Sequence, residues 1–294
     1  MGVRLSHTRA VWLMVVVALL WSTAGVVTRH LDAARSFEVT FWRSLFTALS
    51  LMLILPLLRG RAVFATLRQG GWALWASGLC WGVMFTAFMV ALTLTTVANV
   101  LVTMAIGPFF TACIAAVFLG YRIPMRTWHA IGAAGGGIVY MYAAQVSGEQ
   151  VLGTLVALCV PLAAAFNWTL TQRAHAHGHD VDMVPAVFVG AVLSTLLTLP
   201  LALPLQATAH DVGLLAFLGL TQLAVPCVLS VMCARVLKAP EIALLALLEV
   251  VFGILLAWLG ADEVPSTRVI VGGAVVIGAL VVNELLAWRS RGLR

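Results

Sequence analysis

Arg43, Glu241 and Glu249 are ionisable side chains within apolar stretches of this chain. A charge at the centre of an apolar helix in a bilayer costs at least ~2.5–3.5 kcal/mol, so such a group faces a cavity or a partner. Glu249 lies about ten residues into the stretch that opens at Pro240. There it could carry a proton or pair with a substrate ammonium. It could equally be a carboxylate buried against Arg43, or a packed polar group. Glu241 stands eight residues before Glu249, just over two helical turns, so both project from roughly one face. Its local alternative is an i,i+3 pair with Lys238. Arg43 has the forked geometry that recognises a carboxylate through two hydrogen bonds. Snorkelling towards water, or tying two helices together, are its structural alternatives.

Neutral polar and aromatic residues complete the candidate set. Trp21 and Thr23, Asn167 and Trp168, Trp81 and Phe85, Asn99 and Gln222 all sit in apolar surroundings. An amide beside an indole suits a small zwitterion with an apolar side chain. Trp81 and Phe85, at i,i+4, share one helix face and could line a cavity. Each Trp alone also fits interfacial belts or plain packing, and Trp72 and Trp75 are expected at such an interface. The run His175, His177, His179, Asp180 suggests transition-metal binding, with a solvated loop as the alternative. The apolar stretches contain no His/Asp or His/Glu pair one helical turn apart, so no intramembrane metal site is expected. His129 stands alone near a helix start. The five cysteines fall inside apolar stretches without a CxxC pair, which argues against a disulfide framework or structural zinc. No nucleotide-binding loop, haem motif or paired catalytic cluster is present, so neither an enzyme nor a cofactor is expected.

The elements that must position these residues are ten apolar segments. They span 10–29, 37–58, 71–93, 97–119, 127–145, 151–172, 183–205, 211–234, 240–260 and 268–288. Each approaches the length that crosses a bilayer as a helix. The first follows Arg4 and Arg9 and resembles a signal peptide, but it is long enough to span and nine more follow. The composition agrees: 62% hydrophobic, 10% charged, mean hydropathy +1.06. Of 17 basic residues, thirteen fall at the ends of the chain or in even-numbered loops, namely Arg4, Arg9, Arg59, Arg61, Arg68, Arg122, Arg126, Arg173, Arg235, Lys238, Arg289, Arg291 and Arg294. Arg29, Arg35 and Arg268 fall in odd loops, and Arg43 lies within a segment. That bias places both termini and the even loops in the cytoplasm. The net charge of +6 is this loop bias and implies no nucleic-acid partner. Gly107-Pro108, Pro161 and Pro226 interrupt segments in mid-membrane. Gly132, Gly135, Gly136 and Gly137, with Gly272, Gly273 and Gly278, are expected to permit close helix packing.

The two halves resemble one another. A shift of 144 sets Pro56 on Pro200, Thr23 on Asn167 and Thr28-Arg29 on Gln172-Arg173. A shift of 142 then pairs Ala98-Asn99 with Pro240-Glu241 and Tyr121 with Glu263. Five spans per half is an odd number, so the second copy enters the membrane from the opposite side. An inverted repeat with a site where the halves meet is a transporter architecture. The expected fold is an all-α polytopic membrane protein. Its ten transmembrane helices form two inverted five-helix repeats, residues 1–147 and 148–294.

The stretches 18–31, 37–58, 98–124 and 240–265 carry the motifs of a known family. They hold "ALLWSTAGVVTRHL", an Arg in the second helix, Pro108 in the fourth, and Leu248-Glu249 with a terminal Glu263 in the ninth. Together they resemble the EamA-type ten-helix members of the drug/metabolite transporter superfamily. Val250 stands where that family has proline, and Tyr121 where it has Glu. Both departures put in doubt a kink in the ninth helix and a charge at the end of the fourth. The resemblance implies a secondary transporter or facilitator exporting a small organic metabolite through a bacterial inner membrane. "LLWST" and the many aromatics look like the aromatic amino acid exporters within that family. The expected partners are a small-molecule substrate, the lipid bilayer and protons if transport is coupled. A divalent-metal or cationic drug transporter is the alternative.

Overall fold

The computed structural model describes residues 5–292 except 35, 61–62, 64–66, 68–69, 120–123, 143–147, 177–182, 234–235 and 238. Among them the secondary structure is entirely helical. The helices are α1 (His7–Thr28), α2 (Ser36–Arg59), α3 (Gly71–Leu94), α4 (Val97–Met104), α5 (Gly107–Leu119) and α6 (Met125–Tyr142). They continue with α7 (Gly148–Ala176), α8 (Val184–Ala202), α9 (Ala209–Phe217), a π-helical turn (Leu218–Ala224), α10 (Val225–Cys233), α11 (Ala239–Ala261) and α12 (Thr267–Gly292). Seven stretches are long and apolar enough to cross a membrane, and Leu248–Ala261 and Thr267–Asn283 are shorter apolar helices. Each apolar segment read from the sequence coincides with helix, and two of those segments are interrupted.

Both interruptions follow from proline. Pro108 has no N–H for the carbonyl four residues back, and its ring crowds that carbonyl. That residue is Met104, where α4 ends, and Ala105-Ile106 form a turn before α5. Pro226 does the same to Gln222. Here the chain widens rather than stops: the Val225 N–H donates to Leu220 O, five residues back, the spacing of a π-turn. α11 runs unbroken through Val250, where no proline interrupts the helix.

Glycine sets the closest crossings. A Cβ on Gly190 of α8 would lie 2.9 Å from Gly82 N and 3.0 Å from Gly78 O on α3. A Cβ on Gly219 in the π-turn would lie 2.8 Å from Arg43 O on α2. On α6 and α12, only part of the expected packing is present. Gly137 meets Gly272 O at 2.8 Å and Gly273 meets Val102, whereas Gly132, Gly135, Gly136 and Gly278 face open space. Their small size is not needed for any contact among the described residues. Gly190→Ala is expected to lower stability by about 1–3 kcal/mol, the usual penalty for overpacking. Thermal unfolding of the detergent-solubilised variant measures it, and a melt unchanged from wild type would show that the α3–α8 crossing can relax.

At one end of the bundle, carboxylates tie the loops together. Asp211, at the start of α9, is fully buried. It accepts from Asp32 N (2.7 Å), Ala33 N (3.0 Å) and Ala34 N (3.0 Å) in the α1–α2 loop, and from Thr208 N (3.1 Å). Glu38, in the first turn of α2, answers in kind. It accepts from Gln206 N (2.8 Å) and Ala207 N (2.7 Å) in the α8–α9 loop. Each hairpin therefore fixes the other's loop. The α3–α4 and α11–α12 loops meet at the same end through Arg29 and Glu263.

Candidate functional site

Arg43 is the largest fully buried side chain, at 0% exposure. Its Nη1 donates to Gln222 Oε1 at 2.9 Å and its Nη2 to Phe85 O at 2.7 Å. The guanidinium carbon lies 5.8 Å from the centre of the Phe88 ring, within cation–π range. Its Nε is buried and has no hydrogen-bond partner among the described residues. It forms no ion pair with Glu249 or with any other described acid, and it does not snorkel to the surface. Instead it joins α2, α3 and the π-turn. Gln222 is well placed for this because the missing N–H of Pro226 opens the helix at that residue.

Around this joint lie several of the residues singled out from the sequence. Gln222 Nε2 donates to Trp21 O at 3.4 Å. The Trp21 side chain lies against the Cys227 thiol, which is within electrostatic reach of both Arg43 and Glu249. Glu249 is half-buried and makes no hydrogen bond or ion pair to any described residue. A carboxylate in such surroundings is a ready acceptor for a proton or a cationic group.

An aromatic wall adjoins the arginine. Phe85, whose carbonyl holds Arg43, packs on Trp81 with ring centres 5.6 Å apart. Trp81 meets Trp168 edge to face at 6.5 Å. Next to Trp168, Asn167 accepts from Ser77 Oγ at 2.6 Å. A hydroxyl chain, Ser44–Ser194–Thr86, with links of 2.9 and 2.8 Å, stitches α2, α8 and α3 beside it.

Thr23 and Asn99 are not brought into this group. Thr23 donates to its own helix at Leu20 O, 2.7 Å away. Asn99 is fully buried in the first turn of α4, where its Nδ2 donates to Thr95 Oγ1 at 3.0 Å. Glu241 lies in the first turn of α11, but its side chain, like that of His175, lies outside the described residues. So do His177, His179, Asp180, Lys238 and Tyr121. Trp72 and Trp75 are exposed, as an interfacial position requires.

Sequence reasoning missed the carboxylate ties of Glu38, Asp211 and Glu263. One signal was available: Thr208-x-x-Asp211 is a capping box, and both of its hydrogen bonds form. Asp32, His210 and Asp211 bring potential metal ligands within 4.8 Å of one another. The Asp211 oxygens already accept four backbone N–H groups, so this cluster reads as a loop anchor.

The comparisons agree with this architecture. The model of the EamA-like transporter family matches the chain twice, over residues 8–143 and 151–284. The chain belongs to the EamA-like transporter family. As a member it is a multi-pass membrane transporter of small molecules and not an enzyme. Among curated proteins, the Pseudopaline exporter CntI of Pseudomonas aeruginosa is 25% identical over 276 residues, covering 92% of this chain and 94% of that one. The same exporter from a second strain matches equally. A protein of known crystal structure, 20% identical, overlays with a TM-score of 0.67 across 97% of this chain and 99% of its own, a likeness of fold alone. Within this EamA-family protein, Arg43 belongs to the first matched half and Gln222 to the second.

Proposed function

We propose that this transporter exports amino acids, aromatic ones among them, or related small metabolites across a bacterial inner membrane by alternating access. The observation that carries the reading is a fully buried Arg43 held against Phe85 and Phe88, with Glu249 within electrostatic reach of the same Cys227. Arg43 is fully buried with only neutral partners, and Glu249 nearby has no hydrogen-bonded partner among the described residues. A guanidinium that orients a carboxylate, a carboxylate that receives an ammonium, and an apolar wall of Trp21, Trp81, Phe85 and Trp168 suit a zwitterion with a large apolar side chain. The family and the exporter among its relatives support the export of a small metabolite. The loop charge bias and the meeting of odd-numbered loops at one end support ten crossings with both termini in the cytoplasm. Rocking of one repeat against the other would expose the pair to each side in turn.

A cationic drug as cargo is the second reading, favoured by the same Glu249, unpartnered among the described residues, and by the aromatic wall. Reconstituted protein challenged with labelled amino acids, with and without a pH gradient, separates the two. Saturable uptake of Trp or Phe, competed by other aromatic amino acids, is expected. Absence of uptake of every amino acid, alongside uptake of a lipophilic cation, would replace the zwitterion with the drug.

A further inference from the structure

The geometry points to Arg29 and Glu263 as the latch that holds one end of the transport pathway shut. We rest this on the alternating-access reading, and the test below does not depend on knowing the cargo. Arg29 follows the last turn of α1 and uses its whole guanidinium. Its Nε donates to Glu263 Oε2 at 2.7 Å, its Nη1 to Leu92 O at 2.9 Å and its Nη2 to Thr95 O at 2.9 Å. The other Glu263 oxygen accepts from Val97 N at 2.7 Å, at the open N-terminus of α4. One ion pair thus gathers the ends of α1 and α3, the start of α4 and the α11–α12 loop.

The pair bridges the two halves matched by the family model, with Arg29 in the first and Glu263 in the second. The Glu38 and Asp211 ties cross the same two halves, so what has to part at the latch when that end opens is the α11–α12 loop from the ends of α1, α3 and α4. The other carboxylates at this end differ in kind. Glu38 is 2% exposed and Asp211 is 0% exposed. They hold backbone N–H groups of neighbouring loops, joined at Glu38 by the Trp42 indole N–H at 3.4 Å, in the manner of fixed anchors. Arg29 and Glu263 keep 29% and 17% of their side-chain surface open to solvent. Water can therefore replace their partners at little cost when the bond opens, whereas the buried anchors would be left unsatisfied. The seam below the latch is tight. A Cβ on Gly253 of α11 would lie 3.7 Å from Ser22 Cβ on α1, and Gly260 meets Val26 closer to the latch. Ser22 itself is 2% exposed and stands seven residues below Arg29, roughly 10 Å along the helix.

The experiment uses full-length protein in proteoliposomes, with native cysteines replaced and Ser22→Cys as the reporter. A membrane-impermeant thiol reagent is added from the latch side, and the labelling rate is read without any substrate. Glu263→Gln keeps an acceptor for Val97 N but removes the charge that holds Arg29. It is expected to speed labelling about tenfold, in line with losing charge-assisted hydrogen bonds in one of two states. Arg29→Gln should do the same, while each variant melts within a few degrees of the reporter parent. Glu38→Gln, which loosens an anchor, should lower the melting temperature without a comparable gain in labelling. Unchanged labelling in both latch variants would overturn the proposal. Equal acceleration by Glu38→Gln and Glu263→Gln would overturn it too, because general loosening would then explain the effect. If the latch variants accelerate labelling but no cargo is ever transported, the latch stands and the amino acid reading falls.

Discussion

Arg43→Ala is expected to abolish transport and to lower stability by about 2–4 kcal/mol. The substitution removes two charge-assisted hydrogen bonds, each worth about 1.5–3 kcal/mol, although the loss of a buried charge offsets part of this. It strands Gln222 Oε1 and leaves a void between α2, α3 and the π-turn. Arg43→Lys keeps the charge but cannot reach both acceptors in one planar fork. It should recover part of the stability and little of the transport. Thermal unfolding and substrate uptake on the same preparations measure the two effects. Normal uptake by Arg43→Ala would make the arginine a strut with no contact to cargo.

Glu249→Gln is expected to remove the response of transport to a pH gradient while leaving downhill exchange in place. The amide fills the same space but cannot take up a proton. With one proton per cargo molecule, a gradient of one pH unit stands for tenfold accumulation, or about 1.4 kcal/mol. The variant should equilibrate and stop at a ratio near one. Counterflow of labelled substrate checks that the binding site survives. Accumulation that still follows the pH gradient in this variant would take proton coupling away from Glu249.

These two residues were legible in the sequence for the same reason, that a charge in an apolar helix stands out without any knowledge of its neighbours. Their relationship was not legible. Pairing Arg43 with Glu249 was a reasonable alternative on charge alone, yet the arginine turns to an amide and a carbonyl. Trp81 and Phe85 were expected on one face from their i,i+4 spacing, and their rings do pack together, tilted by 43°. That Phe85 would also offer its backbone to Arg43 depends on how α2 and α3 cross. Gly190, Gly78 and Gly82 set the α3–α8 approach, whereas the more conspicuous glycine run in α6 meets a neighbour mainly at Gly137. Glycine marks where close approach is permitted, and only the opposing helix decides whether it occurs.

The helical segments, the family resemblance and the list of costly buried groups could all be read from the chain before any fold was known. Apolar length, proline chemistry and charge expense are local properties that each residue carries with it. Even the π-turn at Gln222 has its cause four residues away, in Pro226. The tertiary structure alone decided which polar groups meet. The bonds from Arg43 to Gln222, Asp211 to the α1–α2 loop, Glu38 to the α8–α9 loop and Arg29 to Glu263 span sequence separations of 179, 177–179, 168–169 and 234 residues. No local pattern encodes a partner at such a distance. Each pairing arises because packed helices bring two groups into a place with little water, where they must satisfy one another.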